Sequence, residues 1–124
     1  MEQFSRTISL VGQSAFDRVH QARVAVFGVG GVGGYVCEAL VRSGIAEIDL
    51  FDRDDVSISN LNRQIIALHS TIGQDKVDAM AARLKDINPD VRVNCRKMFY
   101  LRCWRTPVKR CYPAVNASRN LQRS

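Results

Sequence analysis

The sequence predicts an α/β fold, a parallel sheet wound with helices, and three observations carry that prediction. Short apolar runs of β character alternate with segments of helical period. The first of those runs ends in a glycine cluster, Gly28 to Gly34, and the second ends in an acid, Asp52. The order strand, helix, strand, helix, strand then requires right-handed parallel crossovers. Together these describe the first half of a doubly wound, Rossmann-like sheet with helices on both faces, and therefore an incomplete one.

Each element has its own signature. "LVGQSAFDRVHQA" is predicted as a short helix with Ala15, Val19 and Ala22 on one side. "RVAVFG", Arg23 to Gly28, is an apolar run in the style of a strand buried on both faces. From Gly31 the period becomes helical, with Val32, Val36, Ala39 and Leu40 on one stripe and Gly44 as the stop. "AEIDLFD", Ala46 to Asp52, is the second strand, and "LNRQIIAL" is predicted as a short helical segment. "GQDKVDAMAARLKDINP" is amphipathic: Val77, Met80, Ala81, Leu84 and Ile87 face one way, and Pro89 ends it. "VRVNCRKMFYL", Val91 to Leu101, begins the third strand.

Composition narrows the class. The chain has 124 residues and is 46% hydrophobic, enough for one ordinary globular core without disulfide staples. No apolar run reaches the roughly 20 residues of a membrane span. No secretory signal opens the chain, so the expected compartment is the cytoplasm. The net charge of +6 suggests nucleic acid until it is mapped. Residues 1–101 hold 12 basic and 12 acidic side chains, whereas 102–124 hold six basic and none acidic. The excess therefore belongs to the tail and is not a basic face of the folded body. None of the four cysteines forms a C-x-x-C pair, so no metal site is expected from them. Cys37 and Cys95 are expected to pack, and His20 and His69 have no partner at a recognisable spacing.

The glycine cluster carries the chemistry. Gly28, Gly30 and Gly33 satisfy G-x-G-x-x-G, and Gly31 and Gly34 extend it. A tight turn needs permissive φ, and a phosphate must come close to the N–H groups that open a helix. Asp52 lies 19 residues past Gly33, where a carboxylate accepts ribose hydroxyls. Without such context, glycines only let a helix and a strand pack closely. The next segment separates a dinucleotide from a triphosphate. A triphosphate carries more charge and calls for cationic side chains. "SNLNRQ" supplies Asn60, Arg63 and Gln64, and Lys76 follows at the next helix. Singly, Arg63 and Lys76 would be ordinary solvated side chains; grouped just past the ribose acid, they favour phosphate. Asp54 and Asp55 are expected to shape a turn.

"GVGGVGG", "FDRDDVSISNLNRQ", "GQDKV" and "INP" resemble the ThiF/MoeB/HesA group of adenylating enzymes, relatives of ubiquitin-activating enzymes. "NRQIIALHSTIGQDKV" with "INPDVRV" is most similar to the tRNA threonylcarbamoyladenosine dehydratases within that group. The resemblance covers nearly all of residues 1–101. It implies ATP as the nucleotide, with Gly28, Gly30, Gly31 and Gly33 against it and Asp52 on the ribose. It implies that Asn60, Arg63, Gln64 and Lys76 hold the phosphates, with Arg63 and Lys76 stabilising charge as pyrophosphate leaves. Arg6, in "FSRTISL", matches an arginine that reaches the partner subunit's nucleotide in a homodimer. Adenylation of a carboxylate is the implied activity, with tRNA as substrate and sulfur-carrier or desulfurase proteins as partners by family analogy. Mg²⁺ is also implied, but its aspartate follows a fourth strand, and residues 102–124 contain no Asp or Glu.

Two units are therefore expected: an ATP-binding half-domain over 1–101 and a basic irregular tail over 102–124. The change of charge and period at Leu101 suggests a shifted reading frame or a truncated gene. A rival expectation is an RNA-binding arm, with Arg102, Arg105, Lys109 and Arg110 interleaved with Trp104 and Tyr112. For the whole chain, the alternatives to an adenylating enzyme are an NAD-binding oxidoreductase fragment and an inactive remnant.

Overall fold

The computed structural model describes residues 2–98. The tail over 102–124, with its aromatic and basic residues, Cys103 and Cys111, lies outside them, as does the end of the third predicted strand. A single-turn 3₁₀ segment, Glu2–Phe4, leads into α1 (Ser5–Val11) and α2 (Gln13–His20). The alternating part follows as β1 (Arg23–Phe27), α3 (Gly31–Arg42), β2 (Glu47–Phe51), α4 (Lys76–Ile87) and β3 (Arg92–Arg96). The sheet order is β1-β2-β3 and both pairings are parallel, as the crossover rule requires.

Register explains the core. Val24, Ile48 and Val93 form one cross-strand row, and Val26, Leu50 and Cys95 form another. Both rows belong to the apolar cluster completed by Cys37 and Val41 of α3 and by Val77, Met80 and Leu84 of α4. The two crossover helices thus cover one face of the sheet and pack on each other. Glu38 of α3 ties them further, accepting from Arg83 Nε at 2.7 Å and pairing with Arg42 at 2.9 Å. The opposite face is charged. Its rows are Arg23–Glu47–Arg92, Ala25–Asp49–Asn94 and Phe27–Phe51–Arg96. Asp49 is fully buried there, accepting from Arg23 at 2.7 and 2.9 Å and from Arg96 at 3.4 Å. Asn94 donates to Glu47 at 3.1 Å, and the rings of Phe27 and Phe51 stack at 4.7 Å. A second helical layer over this face is not among the described residues.

Several details differ from the sequence expectation: β1, expected to be buried on both faces, is buried only at Val26 and exposed at Arg23 and Phe27. The N-terminal helix is two helices, broken at Gly12, whose φ of 84° lies outside helical space. Its buried side chain is Phe16, not Val19, because the Phe16 ring sits between Phe4 and His20. His20 is anchored there, its Nδ1 lying 2.8 Å from the Gly44 carbonyl. In α3 the inward side is Gly34, Cys37 and Val41, while Val32 and Val36 are exposed. The cause is close approach: a Cβ on Gly34 would meet Ile65 at 3.0 Å and Met80 at 3.4 Å. Gly34 lets α3 approach Ile65 and Met80, and this turns Cys37 and Val41 inward in place of Val32 and Val36. Finally, "LNRQIIAL" forms turns after a 3₁₀ segment, Ile58–Asn60, and no α-helix.

Cys37 and Cys95 pack as expected. Cys37 is buried, which pushes its thiol up to about 12. Cys95 is half-buried, with Sγ 3.4 Å from the Val77 carbonyl.

Candidate nucleotide site

The site grows from the end of β1. Gly28 turns the chain with φ 87° and donates its N–H to the Phe51 carbonyl at 2.7 Å, continuing the β1–β2 ladder. Gly33 then has no alternative residue: a Cβ there would lie 1.7 Å from the Gly28 carbonyl oxygen. α3 starts at Gly31, and its N-cap, Gly30, offers no side-chain acceptor to the first-turn N–H groups. Those donors and the positive end of the helix dipole are therefore available to an anion.

Asp52 braces this turn. One carboxylate oxygen accepts Val29 N–H at 3.0 Å and the other accepts Asp54 N–H at 2.8 Å. Each oxygen keeps a second lone pair for a hydroxyl. The same carboxylate ties the glycine turn to the loop after β2, a contact not expected from the sequence. That loop reaches α4 directly, because the Asp54 carbonyl accepts Lys76 N–H at 3.0 Å.

The 57–64 segment closes one side. Asn60 is buried, and its Oδ1 accepts Ser57 N–H at 2.9 Å. The Asn60 carbonyl in turn accepts the backbone N–H groups of Arg63 and Gln64 at 3.2 and 2.9 Å. Gln64 lies against the glycine turn: a Cβ on Gly30 would stand 3.3 Å from its Nε2. Its Oε1 is buried and has no hydrogen-bond partner. Arg63 is exposed and donates to the Ser59 carbonyl at 3.1 Å and to Asn62 at 2.8 Å.

Lys76 stands apart electrostatically. It is only 7% exposed, yet among the described residues no carboxylate pairs with its ammonium. A buried cation without a counter-anion is costly. At the first position of α4, beside N–H groups that also favour negative charge, it calls for an anion.

The contacts link Gly28, Gly30, Gly33, Asp52, Asn60 and Gln64 around the turn, Arg63 and Lys76 join them through backbone hydrogen bonds to Asn60 and Asp54, and Gly31 opens the helix. Arg6 is not part of this group: it is exposed on α1, which packs with α2 and the 3₁₀ segment before it. Sequence reasoning missed one group. Lys97, just past β3, lies 3.0 Å from Asp55 Oδ1 and also contacts Asp75 Oδ1. Asp75 and then Asp55 hold this ammonium above the ordinary lysine range. Lys97 first, and Asp55 second, hold Asp75 below the ordinary aspartate range. No local spacing signals such a cluster, since its members come from three separate segments. Among the described residues, no three His, Cys, Asp or Glu side chains form a metal-binding set.

The profile of the ThiF family matches residues 4–110. The chain belongs to the ThiF family. This ThiF-family chain is 52% identical over 100 residues to the tRNA threonylcarbamoyladenosine dehydratase of Bacillus subtilis, a match covering 81% of this chain and 39% of that protein. It is 46% identical over 79 residues to the ubiquitin-like modifier-activating enzyme 5 of Bombyx mori, covering 64% of this chain and 20% of that one. Among solved structures, the Escherichia coli tRNA N6-threonylcarbamoyladenosine dehydratase, TcdA, in complex with ATP matches with a TM-score of 0.77 at 43% identity. That match covers 79% of this chain and 40% of the TcdA chain. The ThiF-family chain thus spans about two-fifths of the length of the dehydratases it resembles. The matched dehydratase structure is consistent with the Rossmann-like parallel sheet described above.

Proposed function

We propose that this chain binds ATP on the glycine turn and serves carboxylate adenylation, in the manner of a tRNA threonylcarbamoyladenosine dehydratase. The observation that carries the proposal is Lys76, an ammonium buried at a helix start with no carboxylate partner among the described residues. The buried, unpartnered Gln64 Oε1 and the uncapped start of α3 support it, as does the ATP complex of the related TcdA. A hydride carrier would leave the Lys76 charge without a purpose.

ATP supplies the activation: the carboxylate of a threonylcarbamoyl group on tRNA attacks the α-phosphorus, pyrophosphate leaves, and the activated carbonyl cyclises with release of AMP. The protein positions the groups and stabilises charge. The α3 N–H groups hold phosphate oxygens. Lys76 gives a fixed positive charge, and Asn60 and Gln64 direct amide groups at the same region. Arg63 offers a planar fork once it releases the Ser59 carbonyl. Asp52 accepts from the ribose while bracing Val29. Arg6 acts across a homodimer, on the partner's nucleotide. A tRNA substrate makes the cytoplasm the working compartment.

Lys76→Met tests the assignment, since it fills the same space without charge. ATP affinity and ATP-dependent pyrophosphate release are expected to fall at least about 100-fold. The variant should fold at least as stably as the parent, because a buried unpaired charge is removed. Parental ATP binding in Lys76→Met, or tighter binding of NAD than of ATP by the parent, would overturn the proposal.

A further inference from the structure

Three segments meet beside Lys76: the loop after β2, the turn before α4, and the end of β3. The loop and the turn run antiparallel, with a bridge between Asp55 and Asp75. Val56 N–H donates to the Gln74 carbonyl, and Gly73 N–H to the Val56 carbonyl, both at 2.8 Å. The Asp54–Lys76 backbone bond continues the same contact at 3.0 Å. This pairing brings two carboxylates, Asp55 and Asp75, side by side, one residue before Lys76. Alone they would repel each other and push the two segments apart. Lys97 lies on both.

From this geometry we infer that Lys97 is a positioning residue for the nucleotide site: it clamps the loop after β2 to the start of α4 and so fixes the backbone from which Lys76 reaches the phosphates. The inference rests on the proposed role of Lys76. It acts in two ways. Lys97 holds closed the bridge that sets the first turn of α4. It also neutralises one of two carboxylates that would otherwise repel an incoming polyanion. Lys97 is half exposed, so the clamp adds little to global stability. Its effect belongs to the phosphates of the ligand, and the adenosine end should not register it.

The test compares Lys97→Met, Lys97→Arg and Lys76→Met in the 124-residue chain, with ATP and adenosine as calorimetric probes. Lys97→Met should weaken ATP about fivefold, with adenosine affinity and Tm nearly unchanged. Lys97→Arg should restore ATP binding, and Asp55→Asn in the Lys97→Met background should recover part of it by removing the repulsion. The parent's advantage over Lys97→Met should shrink in high salt. Unchanged ATP affinity in Lys97→Met, or equal losses for ATP and adenosine, would overturn the positioning role. If Lys97→Met binds ATP normally while Lys76→Met does not, only the clamp fails. If Lys76→Met also binds normally, the phosphate assignment falls and takes the clamp with it.

Discussion

Within the glycine turn, two neighbouring residues face different constraints. A methyl on Gly33 would occupy the space of the Gly28 carbonyl, whereas a methyl on Gly31 would meet nothing within 4 Å. Gly33→Ala should therefore displace the turn and cost about 3 kcal/mol, as overpacking does at an unyielding backbone contact. Gly31→Ala should stay within about 1 kcal/mol of the parent. Thermal unfolding of the two variants checks this, and equal melting temperatures would contradict the close approach. The juxtaposition of the glycine turn with Asp52 and the 60–76 segment was legible in the sequence, because local spacing sets these segments after successive strands. The bracing of Val29 by Asp52 was not, since it is a contact between segments 23 residues apart.

Among the elements, the crossover helices show what periodicity can and cannot reveal. The presence of α4 and its end before Pro89, and the three parallel strands, followed from apolar spacing and from Pro89, whereas the helix starts at Lys76 and not at Gly73. The inward side of α3 did not, because hydrophobicity marks Val32 and Val36 while the backbone approach at Gly34 decides the orientation. The division at Gly12 was hidden as well, since a single glycine does not declare whether it interrupts a helix or lies within one. α3 and α4 are joined by Glu38, which Arg83 first, and Arg42 second, hold below the ordinary glutamate range. A depressed carboxylate stabilises the fold above its unfolded pKa and loses that contribution as pH falls through the folded value. Glu38→Gln should thus cost up to about 1 kcal/mol at neutral pH, and the gap to the parent should close below pH ~4. Chemical denaturation at neutral and acidic pH measures it; a gap that persists in acid would show that charge is not its source.

Across the whole molecule, the sheet has one apolar face under α3 and α4 and one charged face organised around Asp49. Asp49→Ala should destabilise the chain by about 3 kcal/mol, since it leaves Arg96 buried without this carboxylate. Urea unfolding would reveal the loss, and a change under 0.5 kcal/mol would mean that the Arg23–Asp49–Arg96 group is incidental. That group was invisible in the sequence because alternation along "AEIDLFD" shows an acid among apolar residues and not the arginines on the strands beside it. The two faces also have a consequence for strand alignment. Slipping β3 by one position would turn Val93 and Cys95 toward Asp49 and drive Arg92, Asn94 and Arg96 into the aliphatic layer. Oil rejects the misalignment on one side and unmatched charge rejects it on the other. The sheet is keyed like a lock with two sets of pins, and only one setting of the third strand satisfies both.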